Sequence, residues 1–373
     1  LGAGVDEYFA RTRGNSNWEE IRKLERRARR LRDSAVSCLV TRVVDDPRTM
    51  RVLPRGDWMD DSGEVVMPGV PSFLKQLETS GRRATRLDLA NWLTDRENPL
   101  TARVIVNRLW QQHFGRPLAA PEDFGTQGQP PTHPQLLNWL AAELPHRKWS
   151  FKAMHKLIVT SATWRQVSRN EENDPHWQNR LKKDSENKFW SRQSRRRLTG
   201  EMVRDTMLAA SGSLSDRTGG PGVRPPLPKE ITSTLLRNQW PVSKDETDHR
   251  RRSIYLFARR NLRLPMFDLF DRPSQAETCA RRIHSTTAPQ SLALLNSEFT
   301  RDAATRLARV AEDQTQSRSA QFTFCFLHLL NREPTSGELE SCAQFVEASP
   351  DSKQGLAELC LALMNLNEFL FLD

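Results

Sequence analysis

Three side chains able to handle protons or hold a metal fall within one stretch of the chain, His113, Asp123 and His133, inside the segment running from Asn98 to Gln166. The spacing places His113 at a helix end, Asp123 in a loop and His133 at a helix start. Helix termini that bracket a loop can converge, so a metal or acid/base site is one reading of the trio. The ordinary alternative has the histidines closing helix ends while Asp123 orders the loop through backbone N–H groups. No His-x-x-x-His or His-Glu-x-x-His spacing supports metal, which favours the ordinary reading.

A second group follows the helical repeat: Arg197, Glu201, Arg204 and Asp205 stand three and four residues apart. The Glu201 and Asp205 carboxylates on one helix face suit acid/base work if a cleft holds them dry. Interleaved arginines more often make an ion-pair ladder along the helix, and that is the expectation here. A third group, Arg259, Arg260, Cys279, Arg281 and Arg282 with Asp268 and Asp271, surrounds the approach to a later helix. Cys279 is the cysteine in a polar setting, where neighbouring arginines would favour a reactive thiolate. Arg165, Arg204, Arg259, Arg260, Cys279 and Arg282 are the candidate binding residues.

Several chemistries are excluded. Five cysteines form no Cys-x-x-Cys and no Cys-x-x-Cys-His, so neither a zinc ribbon nor covalent haem attachment is encoded, and their odd, scattered placement opposes a disulfide framework. No metal is expected. No Gly-rich phosphate loop of Walker or Rossmann form exists, and Gly219-Gly220-Pro221-Gly222 only imitates one, broken by proline. The chain carries a formal charge of +10, mostly from arginine clusters, and this favours a polyanionic partner: anionic polysaccharide, an acidic protein face or nucleic acid. Nucleic acid is the weakest of the three, because no recognised motif is present. No apolar run is long enough for a transmembrane segment. The chain starts at Leu1, so a fragment or processed chain is expected, with room for a targeting signal upstream.

The elements that must position these residues are mainly helical. Ser16-Asn17-Trp18-Glu19 has capping-box form and opens a helix with a narrow seam of Ile21, Leu24, Leu31 and neighbouring alanines, suited to one partner helix. The residues from Ser37 to Val44 and from Thr49 to Leu53 are read as a small hairpin, followed by a proline-punctuated connector. A helix follows from Arg83 to Leu93. Asn98 caps the next helix, which Gly115 stops, and Thr132 to Gln135 forms a capping box for its successor. The loop from Arg116 to Pro131 is long for a compact domain and therefore expected to be functional. Further expectations are a helix from Arg195 to Ala210, a flexible or wrapping segment from Gly222 to His249, and a strand from Ser253 to Ala258. A long helix starts at Thr287 and three more follow, around Ser319 to Leu330, Ser336 to Ala348 and Gln354 to Leu370. The predicted architecture is mainly α, a multi-helix domain with a few short strands, a hairpin and long irregular loops. It has three parts: 1–48, the tail of a preceding domain; 49–81, an extended connector; and 82–373, the helical domain.

The wording Asn98-Pro99-Leu100-Thr101-Ala102-Arg103, Asn107-Arg108-Leu109-Trp110, His113-Phe114-Gly115, Asp123-Phe124-Gly125, Pro131-Thr132-His133-Pro134 and Ser161-Ala162-Thr163-Trp164-Arg165 resembles a planctomycete-specific domain family of unknown function. The likeness continues through Arg197-Leu198, Glu201, Arg204-Asp205, Arg252-Ser253-Ile254-Tyr255, Pro289-Gln290 and Asn367-Glu368-Phe369. Members of that family commonly follow cytochrome-c-like modules in large exported proteins. The resemblance therefore implies export to the periplasm or cell envelope, a c-type cytochrome module or other envelope protein as partner, and haem c on an upstream module rather than in this chain. It implies no catalytic residues. Two functions are carried forward: a docking, structural or electron-transfer accessory domain, and a hydrolase or lyase acting on anionic polysaccharide.

Overall fold

The computed structural model describes residues 17–35, 39–42, 44–121, 123–125, 127–170, 174–236 and 239–372. Two compact units make up the chain, Leu1–Asp88 and Leu89–Asp373. Fifteen helices and two small antiparallel two-stranded sheets appear among the described residues, so the fold is mainly α with a few short strands.

In the first unit, α1 (Asn17–Ser34) exposes the seam that its sequence marks as apolar, with Ile21, Leu24 and Leu31 at 43, 57 and 62% exposure. Ser16 of the expected capping box lies outside the described residues. The expected hairpin is displaced. β1 (Met50–Arg51) pairs with β2 (Val65–Val66), not with residues 39–42; Ser37, Cys38 and Val43 of the expected first strand lie outside the described residues. The turn between these strands is local chemistry: the Asp57 and Asp60 carboxylates accept from the backbone N–H groups of Met59 and Ser62 at 2.9 and 2.8 Å. Short polar side chains that fold the backbone on themselves turn the expected connector into a hairpin. α2 (Arg86–Thr94) carries Asp88 in its first turn, and that carboxylate takes two bonds from Arg82 at 2.7 and 2.5 Å and one from the Thr85 N–H at 2.7 Å.

The second unit opens with three helices. α3 (Thr101–Phe114), α4 (Pro134–His146) and α5 (Phe151–Val159) enclose Val106, Trp110, Phe114, Leu137, Leu140, Leu144, Met154 and Ile158. Asn98 Oδ1 accepts from the N–H groups of Leu100 and Thr101 at 3.0 and 3.2 Å, and Gly115 closes α3 in the left-handed region at φ 75°. Ser150 caps α5 through the Ala153 N–H. The box expected at Thr132 does not form: its N–H bonds the Leu118 carbonyl at 3.0 Å, and His133 is the residue before α4. The long loop is pinned rather than loose. Asn107, fully buried, accepts from the N–H groups of Leu118 and Ala119 and donates to the Ala119 carbonyl.

After α6 (Pro175–Lys183), the residues Arg196–Arg197 form β3 instead of beginning a helix. They pair with β4 (Phe371–Leu372) near the end of the chain, and the Leu198 N–H adds a bond to the Leu370 carbonyl at 2.8 Å. Pairing with a distant strand overrides the local helical pattern, so α7 runs only from Gly200 to Ala210, capped by Thr199. The segment around α8 (Lys229–Thr232) folds back on itself: Trp240 is buried and donates to the Pro225 carbonyl at 2.8 Å, and the Ser243 N–H bonds the Arg224 carbonyl at 2.9 Å. The expected strand from Ser253 to Ala258 is a 3-10 turn, Ser253–Tyr255, followed by one bridge from Leu256 to Val223. Val223 has Pro225 and Pro226 just beyond it, and prolines have no N–H to extend a ladder.

α9 (Pro265–Leu269) leads to α10 (Ala288–Asn296), which Thr287 and Gln290 open with a capping box. The predicted long helix is broken at Ser297, whose hydroxyl caps a new helix, α11 (Glu298–Gln314), through Thr300 N–H. Then come α12 (Arg318–Leu330), α13 (Ser336–Glu347), α14 (Ser352–Leu363) and α15 (Asn367–Leu370). These helices and α7 enclose the larger core, including Met207, Leu307, Phe326, Leu356 and Met364.

Candidate functional site

His113, Asp123 and His133 bond to separate partners. His113 Nε2 lies 2.8 Å from His155 Nδ1, and its ring meets Trp164 edge-on with centroids 5.2 Å apart. Burial, then the neighbouring His155 and Arg196, push His113 below the ordinary imidazole range, so it is neutral at pH 7. Asp123 accepts from the Gly125 N–H at 2.5 Å, and a Cβ on Gly128 would sit 2.1 Å from the Asp123 carbonyl oxygen. The aspartate thus orders the loop. His133 Nδ1 is 3.1 Å from Thr132 Oγ1 at the start of α4. Among the described residues no group of three or more His, Cys, Asp or Glu side chains could hold a metal ion.

The second unit instead opens a cleft of about 1710 Å³, and none of the trio lines it. Nine arginines and four carboxylates do, a surplus of five positive charges. The middle of α3 supplies Arg108 and the turn after the helix Arg116, while β3 and the residue before it supply Arg195 to Arg197. Pairing with β4 places Arg195 over the Phe371 ring at 4.5 Å and Arg197 between Phe270 and Phe371 at 5.5 and 5.6 Å. Arg197 donates to the Ser285 carbonyl at 2.8 Å and to Thr286 Oγ1. Burial lowers the basicity of Arg196 and Arg197, and Nε of each has no partner.

The charges of α7 do not form the expected ladder along its own face. Glu201 reaches instead to Arg282, which donates from both terminal nitrogens at 2.8 and 3.1 Å, with Arg272 Nε at 3.6 Å. Burial, the largest single influence, pushes the Glu201 carboxyl up, but the Arg282 hydrogen bonds, a backbone hydrogen bond and the charges of Arg282 and Arg272 together outweigh it and leave the group below the usual glutamate range, hence ionised. Asp205 accepts from Ser253 N–H and Oγ at 2.8 and 2.6 Å. Arg204 is only 6% exposed and donates to the carbonyls of Arg251 and His249 at 2.9 and 2.6 Å. Burial brings its guanidinium down to about 10. It is a tie between α7 and the segment 249–253, outside the lining of the cleft.

The other expected binding residues divide. Arg282 and Cys279 line the cleft, and the exposed Cys279 thiol donates to the Arg281 carbonyl at 3.2 Å. Arg259 lies outside it and donates to the Gln239 carbonyl, holding the folded-back loop. Arg165 and Arg260 are exposed and also lie outside it. Sequence reasoning missed His284, which lines the cleft, and whose pKa is lowered by burial and by Arg282. The signal was present in the run from Arg281 to Thr287, where His284 stands between an arginine pair and a threonine pair. Arg108 and Arg272 were hidden because nothing local distinguishes a cleft arginine from a solvated one.

No curated protein and no solved structure matches the chain. Its residues 85–346 match the family described as PSD1, Protein of unknown function (DUF1553). That span is most of the chain and holds α7, the arginines and the loop that carries Arg282; the chain is a member of this family of unknown function.

Proposed function

We propose that the arginine-lined cleft binds an extended anionic glycan. The observation that carries this reading is the charge of the lining. Five of its nine arginines exceed what the four carboxylates can neutralise, and Arg108 and Arg281 have no side-chain partner among the described residues. Unneutralised guanidiniums gathered in a concave, partly dry surface cost free energy through self-repulsion and desolvation, and an anion removes that cost. Guanidinium forks match carboxylate and sulfate oxygens two bonds at a time, which suits a sugar acid repeated along a chain. The cleft exceeds the roughly 300–1,000 Å³ of small-molecule sites, which favours several linked residues over a single metabolite. Phe371 and Leu372 in the same lining offer apolar area for sugar ring faces.

Of the four lining carboxylates, Glu201 is bound to Arg282, Asp205 to Ser253 and Glu186 to Arg116, which leaves Asp216 alone without a side-chain partner among the described residues; one free carboxylate does not make an acid/base pair, so binding rather than a defined hydrolysis is the reading. A c-type cytochrome partner in an exported protein, implied by the resemblance, would use the same charge by presenting an acidic protein face. The concave form of the surface favours a chain.

The test is a titration of the protein with a uronate polymer, a sulfated glycan of equal length, neutral dextran and an acidic c-type cytochrome. Binding of the anionic glycans is expected, falling steeply with added salt, with none to dextran. The double substitution Arg108→Ala, Arg281→Ala is expected to weaken it by roughly tenfold, at about 0.7 kcal/mol per lost charge contact. Salt-insensitive glycan binding, or none, overturns the reading. Binding of the cytochrome alone assigns the surface to docking.

A further inference from the structure

The larger core of the second unit holds a feature independent of the cleft. Cys325 on α12 and Cys360 on α14 meet with their sulfur atoms 3.5 Å apart, both at 0% exposure, 35 residues apart in sequence. We infer that these two thiols are the site of a disulfide cross-link joining α12 to α14 across the core, formed when the chain folds in an oxidising compartment.

Several observations bear on this. Sulfur atoms in van der Waals contact need to approach each other by only about 1.5 Å to reach a covalent S–S length near 2.05 Å. Phe326, Leu329, Leu356 and Leu359 flank the two cysteines in the same buried cluster, so the helices that carry them are held in place by packing whether or not the bond exists. The pair lies far apart in sequence with no spacing motif, which is why counting cysteines gives no sign of it. Cys342 on α13 is the alternative partner. It is also buried, and it lies close enough to Cys325 to raise its own pKa, after burial and Glu338. Among the described residues, the sulfur contact itself belongs to Cys325 and Cys360.

The folded state sets when the bond can form. Contact with Cys325 and burial hold the Cys360 thiol well above the ordinary thiol range, so in the finished core it is neither accessible nor a thiolate. Thiol–disulfide exchange requires a thiolate and access. The step therefore belongs to the folding chain. A thiolate from one cysteine attacks a small-molecule or protein disulfide, releasing one thiol and leaving a mixed disulfide. The second thiolate then displaces the other thiol and closes the Cys325–Cys360 bond. One external disulfide is reduced to two thiols as the two cysteines are oxidised, with both protons passing to the released thiols. Once buried, the bond is shielded from reductants by the same packing.

The experiment is to refold the full chain in a buffer of oxidised and reduced glutathione. The product is then unfolded in denaturant without reductant, alkylated and digested for mass spectrometry. Three of the five cysteines are expected to be alkylated, and one linked peptide is expected to contain Cys325 and Cys360. The Cys342→Ser variant is expected to give the same linked peptide. The folded, oxidised protein is expected to keep the bond in millimolar dithiothreitol for hours and to lose it at once in denaturant. Alkylation of all five cysteines would mean that the contact is a plain S–H···S interaction and would overturn the inference, as would a linked peptide pairing Cys325 with Cys342. The wild-type readout does not depend on any variant folding.

Discussion

At the scale of single residues, the side chains that look most chemical are occupied with structure. Arg204 shows the logic: a guanidinium at 6% exposure satisfies carbonyls at 249 and 251 that no helix or strand satisfies. Its loss leaves buried acceptors unpaired, so Arg204→Ala is expected to lower the unfolding free energy by about 3 kcal/mol, whereas Arg165→Ala on the surface stays within about 0.5 kcal/mol. Urea denaturation of the two variants checks this. A titrating counterpart lies at Arg332, which donates to Glu338 at 2.9 and 2.6 Å and to Glu368 at 2.6 and 2.9 Å. The Arg332 hydrogen bond, then the Thr335 N–H, bring Glu338 from 4.5 down to about 2. A carboxyl lowered on folding stabilises the fold above its unfolded pKa, and that contribution fades as the pH falls from about 4.5 toward 2. Arg332 and Glu338 are each 36% exposed, so solvent screening keeps the contribution below about 1 kcal/mol. Wild type and Glu338→Gln should therefore differ in urea midpoint at pH 6 and converge near pH 2.

At the scale of elements, the decisive positions are where one segment stops so that another can approach. Gly115 ends α3 at φ 75°, and a Cβ there would lie 2.6 Å from Arg196 Cδ. Glycine is thus required twice, for the left-handed backbone and for the passage of an arginine into the cleft. Gly115→Ala is expected to cost about 2 kcal/mol and to weaken glycan binding together with stability, since Arg196 must move. Thermal melting and a binding titration on the same preparation read both effects. The break at Ser297 works the same way: its hydroxyl starts α11 afresh and lets α10 and α11 take different directions from one continuous apolar pattern.

At the scale of the whole molecule, the last residues of the described chain complete a sheet begun some 175 residues earlier, near the middle. β4 orders β3, β3 carries two of the nine cleft arginines, and Phe369 and Leu370 just before β4 belong to the larger core. Deleting Asn367–Leu372 is expected to remove about 3–6 kcal/mol by exposing those two side chains alone, and to abolish glycan binding. Guanidinium unfolding of the truncated chain measures the first effect. A chain that keeps full stability and binding would show that the β3–β4 pairing does not organise the site.

What the sequence determined by itself was most of what depends on neighbours three or four positions away, the box at Thr132 and the charge ladder on α7 excepted. Apolar repeats and cap chemistry gave the mainly helical fold, the Asn98 cap, the Gly115 stop and the helix start at Thr287, because those forces act within a turn. The same reasoning failed wherever a distant partner outbid the local one. Arg196 and Arg197 read as helix until Phe371 and Leu372 offer a strand. The run from Ser253 to Ala258 reads as a strand until the prolines just beyond Val223 stop its ladder at a single bridge. The candidate site depends even more on distance. Glu201 and Asp205 were legible as charged residues on one face, but their partners, Arg282 and Ser253, lie on other segments. Arginine type is written in the sequence. Whether an arginine is solvated, buried as a tie or turned into a cleft depends on which surfaces meet it, and only tertiary packing brings those surfaces together.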